Sequence, residues 1–194
     1  MNRTCGALML ALALIGSATG CKKHETEPNA SASSNAASPA QAGQREATLA
    51  AGLTKAAPFS TLAAAINDTG LSGVLGGKAS YTMFAPTDAA FAALGDKGRA
   101  LRQPEQRAAL AALLREHIVP GLLTGDDLDK ALQRSGGKPL KLRTMGKGTL
   151  TVSREGGTVV VVGADGAKAR LTADSVMAGN GAALGVDRVL RALG

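Results

Sequence analysis

Side chains that begin chemistry are sparse in this chain. It holds two histidines, His24 and His117, and two cysteines, Cys5 and Cys21. A structural zinc site wants four nitrogen or sulfur ligands, and beyond residue 48 only His117 is of that type. His24, beside Glu25 and Glu27, reads as a solvated histidine. Neither a G-x-S-x-G elbow nor a G-x-x-x-x-G-K-S/T phosphate loop occurs. Ser135-Gly136-Gly137-Lys138 spells S-x-x-K. That pairing needs a helical turn to carry the amine to the hydroxyl, and two glycines oppose one. Asp126, Asp127 and Asp129 cluster, but without the ligand spacing of a calcium loop. They read instead as a helix start, capped by Thr124 or Asp126 and running through Leu132.

The elements that must position these residues begin after about residue 48. The first 20 residues have one charge, Arg3, then an apolar run from about Ala7 to Ile15, then small residues. That pattern describes an export signal, and the run is shorter than the roughly 20 apolar residues of a membrane span. Ala18-Thr19-Gly20-Cys21 resembles the lipobox of bacterial lipoproteins, with Ala18 where Leu is usual. The resemblance implies acyl chains on Cys21, and two or more chains anchor stably. Loss of the signal would remove Cys5 and leave Cys21 without a disulfide partner, which fits a lipidated cysteine. Lys22 follows it, where an Asp retains some lipoproteins in the inner membrane, so the expected place is the outer membrane of the cell envelope, facing the periplasm or the outside.

Residues 22–48 are dominated by Ala, Ser, Asn, Gln and Pro without apolar periodicity, and read as a disordered tether. Its 27 residues would reach roughly 30 Å as a flexible coil. The expected organisation is a signal over 1–20, a lipidated cysteine and tether over 21–48, and one domain over 49–194. Within the domain, Leu49, Leu53, Leu62, Ile66, Leu71, Val74 and Leu75 recur at helical spacing, with Ser60 as a candidate N-cap. Residues 104–121 read as a helix with Pro104 in its first turn and Ala109, Leu110, Leu113, Leu114 and His117 on one face. Residues 148–154, 157–163 and 167–173 are short, β-branched and separated by Gly-rich turns, an antiparallel meander. Residues 185–190 offer a final strand. Helices first and hairpins later argue an α+β fold.

Three of the four aromatic residues stand together in Tyr81 to Phe91. Tyr81-Thr82-Met83-Phe84 alternates as a strand, Ala85-Pro86 ends it, and Thr87 or Asp88 caps a helix from Ala89 to Leu94. Phe84 and Phe91 then pack on either side of a strand-to-helix corner. The same stretch, Thr82-Met83-Phe84-Ala85-Pro86-Thr87-Asp88-Ala89-Ala90-Phe91, resembles the first signature of the fasciclin (FAS1) domain. Residues 113–121, with His117 and Pro120, resemble a second stretch of that family. Residues 172–190, with Asn180, Gly181 and Asp187, resemble its closing signature. The resemblance spans about 49–193.

The resemblance implies a wedge of two small β-sheets with several helices along one side. It implies that Thr82, Phe84, Ala85, Pro86, Thr87, Asp88, Phe91, His117, Pro120, Asn180, Gly181 and Asp187 are structural. Asp88 and His117 are expected to hold the corner, through polar contacts to each other or to backbone. An aspartate–histidine pair also belongs to hydrolases, but no suitably spaced nucleophile accompanies it. The sequence departs from the family at Glu116, where Tyr is frequent, and at Leu184, where His is usual. Integrin recognition, tied in animal members to that Tyr-His neighbourhood, is therefore not carried over. Ala182, Ala183 and Gly185 replace bulkier residues, which predicts weaker strand pairing there.

The net charge is +7. Lys138, Lys141, Arg143, Lys147, Arg154 and Arg170 lie among the strands without interleaved aromatics, so base stacking and nucleic acid binding are not expected. No cofactor and no metal are expected. The sequence reads as a non-catalytic, lipid-anchored domain that binds an extracellular protein or polysaccharide. A periplasmic accessory protein that binds another envelope component is the alternative.

Overall fold

The computed structural model describes residues 47–192. The readings made for the signal, for Cys21 and for most of the tether lie outside the described residues. The helical layer comes first. α1 (Leu49–Lys55) is capped by the Thr48 side chain, and Leu49 and Leu53 are fully buried. A 3-10 turn over Ala57–Phe59 leads into α2 (Ser60–Asp68). The short α3 (Ser72–Leu75) follows. α4 (Asp88–Ala92), α5 (Gly95–Leu101) and α6 (Arg107–Glu116) come after the first strand. The periodic leucines are buried as their spacing predicts, but Val74 is left 37 % exposed. In α6 the buried face is Leu110, Ala111, Leu113 and Leu114, while Ala109 faces solvent. Pro104 opens a 3-10 turn, and the predicted helix ends at Glu116. There the chain turns into strand at Ile118.

The strands are β1 (Tyr81–Pro86), β2 (Ile118–Pro120), β3 (Leu140–Arg143), β4 (Thr149–Glu155), β5 (Thr158–Val162), β6 (Lys168–Ala178) and β7 (Gly181–Val186). The meander is present as read, with β3 as an additional strand. The final strand is 181–186 rather than 185–190. The expectation of two small sheets is corrected: the strands form one seven-stranded sheet in the order β2-β1-β7-β6-β5-β4-β3. Every pairing is antiparallel except β1 with β7.

The physical reason is the length of β6. Its 11 residues serve two partners: Lys168 to Arg170 pair with β5, and Ser175 to Ala178 pair with β7. The register shifts between Leu171 and Ser175. Such an irregularity bends a strand, so the sheet turns over on itself there. Side chains from both halves then meet in one apolar cluster. Phe84, Val119, Leu184 and Val186 come from one half, and Leu150, Val152, Val161 and Ala169 from the other. Beyond the margin of the sheet, the Met145 N–H donates to the Ile118 carbonyl at 2.8 Å and draws the two edge strands together.

Helices do not lie along one side only. α7 (Gly125–Arg134) places Leu128 and Leu132 in the cluster inside the folded sheet. The other helices build a second core with the opposite face of β1, β2, β6 and β7, through Met83, Ala85, Ile118, Val176, Ala178 and Ala183. β1 and β7 are thus buried on both faces. β7 is buried at all six positions and pairs with β1 without a break from Tyr81↔Gly181 to Pro86↔Val186. The weaker pairing expected from its small residues is absent on the β1 side, whereas on the β6 side the register shift falls opposite Gly185. A Cβ at position 181 would collide with the Tyr81 carbonyl oxygen, and one at 185 with the Thr172 hydroxyl and the Asp174 backbone. Glycine is what lets neighbouring chain approach this closely.

Candidate functional site

The strand-to-helix corner forms where its sequence places it. Pro86 still pairs in the strand, opposite Val186. The Thr87 hydroxyl accepts from the Ala90 N–H at 3.3 Å, so Thr87, not Asp88, caps α4. Phe84 and Phe91 point into different cores. Ala85 is fully buried beside them. Asp88 caps a different helix. Its carboxylate accepts from the Thr61 N–H at 2.7 Å and from the Ser60 hydroxyl at 2.6 Å. Ser60 is therefore not itself the cap of α2: it lies inside the helix and donates a hydrogen bond to Asp88. Burial works against ionisation of Asp88, but the hydrogen bonds from Ser60 and Thr61 outweigh it and hold the carboxyl below its usual range.

His117 is completely buried at the end of α6. Its Nδ1 lies 2.9 Å from the Leu113 carbonyl, and the Leu190 N–H lies 2.9 Å from Nε2. A backbone N–H only donates, so Nε2 accepts and the ring proton sits on Nδ1. Both nitrogens are thereby spent on backbone, one on Leu113 within the same helical turn and one on Leu190, 73 residues away. Burial pushes the imidazole down to about 4, against the opposing pull of the Leu113 carbonyl and of the Glu116 and Asp165 carboxylates. His117 and Asp88 do not bond each other; each is satisfied by its own partners. A buried neutral ring with no free nitrogen is not placed to act as a general base.

The closing signature supplies a second clasp. The Asn180 Oδ1 accepts from the Leu49 N–H at 2.7 Å, and its Nδ2 donates to the Leu75 and Gly77 carbonyls at 2.8 and 2.6 Å. One side chain thus ties the start of α1, the end of α3 and the β6–β7 turn. Gly181 follows where a side chain has no room. The Asp187 carboxylate accepts from the Arg170 N–H at 2.7 Å and fixes the exit of β7 to β6. The Thr82 hydroxyl, fully buried, donates to the Gly121 carbonyl at 2.8 Å and accepts from the Leu123 N–H at 2.7 Å. That fixes the loop beyond Pro120, which itself lies opposite Tyr81 in the sheet.

The remaining candidates resolve as local structure. Thr124 caps α7 in a reciprocal box with Asp127, whose carboxyl is held low by the Thr124 N–H and hydroxyl. Asp129 pairs with Arg154 on the surface. The Ser135 hydroxyl lies 2.8 Å from the Leu132 carbonyl and 2.7 Å from the Lys138 carbonyl. It closes the helix end, with Gly136 and Gly137 at φ 66° and 79°. The Lys138 amine has no part in it. No group of three metal-binding side chains occurs among the described residues, and no single helix among them is long and apolar enough to cross a membrane.

One arrangement escaped sequence reading. The Glu116 carboxylate accepts from the buried Thr144 hydroxyl at 2.7 Å. It packs on Gly146 and Gly148, where any Cβ would strike it. The Gly-Lys-Gly spacing was the available signal, but a glycine pair does not name the side chain it receives. Where the family often has Tyr, this chain uses an acid to seat the β3–β4 loop.

Comparison with known proteins gives the family. The sequence model of the fasciclin domain matches residues 57–192. Protein sll1483 of Synechocystis sp. is 42 % identical over 67 residues, covering 34 % of this chain and 37 % of that protein. A solved FAS1 domain pair from the insect cell adhesion molecule fasciclin I superposes with a TM-score of 0.64 at 20 % identity, covering 75 % of this chain and 51 % of that one. The chain thus spans about a third of the curated relative's length and about half of the solved one. With the signature residues in these places and the family match over most of its length, the chain belongs to the fasciclin domain family.

Proposed function

We propose that this protein is a display module of the cell envelope that binds without catalysis. Acyl chains on Cys21 hold it to the outer membrane, residues 22–48 give reach, and the fasciclin domain presents a surface to an extracellular protein or polysaccharide. The observation that carries the reading is the family match together with the fate of His117. The one histidine of the domain is sealed in the core with both nitrogens engaged. Fasciclin domains occur in adhesion-related proteins, and the solved relative comes from a cell adhesion molecule.

The test is protease accessibility of the domain on intact cells, with a periplasmic marker as control. Cleavage with the marker spared supports outward display. Protection until the outer membrane is opened overturns it in favour of a periplasmic accessory protein. A Cys21→Ser variant is expected to leave the membrane fraction; unchanged membrane association would sink the lipid anchor.

A further inference from the structure

The charge of the domain is divided unevenly. Residues 47–137 carry nine Lys and Arg against eight Asp and Glu, while residues 138–192 carry nine against four. Nearly all the excess positive charge belongs to β3–β7 and their connections. Register shows where it points. Along β3, Leu140 and Leu142 pack against the inner core, so Lys141 and Arg143 face outward. Thr151 stands beside Lys141, Val162 beside Thr151, and Lys168 beside Val162. Arg143 stands beside Thr149, Arg170 beside Val160, and Val160 beside Ser153. The outward face therefore has two cationic rails, Lys141–Arg143 on β3 and Lys168–Arg170 on β6. Three strand spacings separate them, roughly 14 Å. Between them β4 presents a row of half-buried hydroxyls, Thr149, Thr151 and Ser153, and β5 presents Val160, buried, and Val162, half-buried.

Most of these cations have no partner inside the domain. Lys168 pairs with Glu155 at 3.2 Å. Among the described residues, no ion pair or side-chain hydrogen bond engages Lys141, Arg143 or the Arg170 guanidinium, and all three are exposed. Lysine on an edge strand guards against strand-to-strand association, which accounts for Lys141 on β3. It does not account for Lys168 and Arg170, because β6 lies inside the sheet. The exposed large apolar side chains, Val74 and Leu122, lie elsewhere, so this face offers nothing to insert into a bilayer. Cations flanking a hydroxyl row match a ligand that is both anionic and rich in hydroxyls.

We infer that the outward face of β3–β6 is a docking surface for an acidic, carboxylate-bearing polysaccharide. The carboxylates lie along the rails and the sugar hydroxyls bond the Thr149–Thr151–Ser153 row. The inference rests on the binding role proposed above and names the surface and the chemistry of its partner.

The probe is alginate, a polyuronate, immobilised and titrated with the full chain at low and at physiological salt. Neutral dextran and vesicles of phosphatidylglycerol with phosphatidylcholine serve as comparisons. Binding to alginate is expected to weaken with salt, since exposed charges are screened. A Lys141→Gln/Arg143→Gln/Arg170→Gln variant is expected to bind about tenfold or more weakly. A Lys55→Gln/Lys78→Gln/Arg107→Gln variant carries the same change in net charge on the helical half and is expected to bind as the parent does. Equal losses in the two variants would mean attraction by net charge alone and would overturn the inference. Preference for the vesicles over alginate would overturn it in favour of a lipid surface. Beads coated with the chain separate the two levels of the argument. Parent and strand-face variant adhering equally to cells would end the inference and leave the binding role standing, whereas no adhesion by the parent would count against that role itself.

Discussion

The core under the helices is closed mainly by polar clasps between distant segments, whereas the core inside the folded sheet is closed mainly by hairpins and apolar side chains. In the first, Asn180 reaches Leu49, Leu75 and Gly77 across more than 100 residues. His117, at the end of α6, reaches across 73 to Leu190, whose side chain lies in the other core. In the second, Leu150, Val152, Val161 and Ala169 lie on consecutive antiparallel strands, and the ion pairs around it, Arg154–Asp129 and Lys168–Glu155, are solvent-exposed. Short loops bring the hairpin strands together at small entropic cost. The helical layer is joined to a strand that arrives last in the chain, so its register needs directional bonds. Buried hydrogen bonds supply that direction, because leaving one unmade costs more than making it gains.

The contrast is broken most forcibly at His117. His117→Ala leaves a cavity and an unpaired buried Leu190 N–H, and should cost about 4 kcal/mol. For a domain of this size that lowers Tm by roughly 10 °C. Thermal unfolding followed by circular dichroism checks it, and an unchanged Tm would mean the clasp is dispensable.

Acid should find the same weak point. The histidine's ordinary value is 6.5, and burial in the folded state lowers it to about 4. Above pH 6.5 neither state carries the proton and the clasp is intact. Between 6.5 and about 4 the unfolded chain takes up a proton that the folded one refuses, so stability falls with pH, by on the order of 3 kcal/mol across the window. Denaturant titrations at pH 7, 5.5 and 4.5 should show the slope in the parent and its loss in His117→Gln. Glu116 and Asp165 face the ring and moderate the effect.

Asn180→Ala removes three bonds at once and should cost about 2 to 3 kcal/mol. Native-state hydrogen exchange is expected to show α1 released first, ahead of β3–β5. Exchange in which the whole domain opens together would mean the two cores are not separable.

The smallest effects contrast two aspartates. Asp88→Ala uncaps α2 and should cost about 1 kcal/mol. Asp129→Ala breaks only the exposed pair with Arg154 and should cost about 0.5 kcal/mol or less. Chemical denaturation of both variants would reverse the assignment of clasp and ornament if Asp129 proved the costlier loss.

Much of this was legible in residue order. The leucine spacing announced the helices, the Gly-separated β-branched runs announced the hairpins, and Tyr81 to Phe91 announced the corner, because each is a local preference. β3 was not legible: Leu140–Arg143 alternates for only four residues. Nor was the partner of Asp88 legible. Its nearest candidate cap was its own helix, and the structure spends it on α2 instead. Glu116 in its glycine seat was likewise hidden, since Thr144 and Glu116 are 28 residues apart.

By itself the sequence determined the α+β class and the family, because periodicity, turn residues and a near-complete signature are properties of neighbours along the chain. Only the tertiary structure decided that one long strand folds a single sheet over itself. It also decided that small residues in β7 are there for close approach, that His117 is neutral and sealed, and that the cations of β3 and β6 share a face. Those are relations between distant segments, and burial, register and unmade hydrogen bonds enforce them only after the chain has closed.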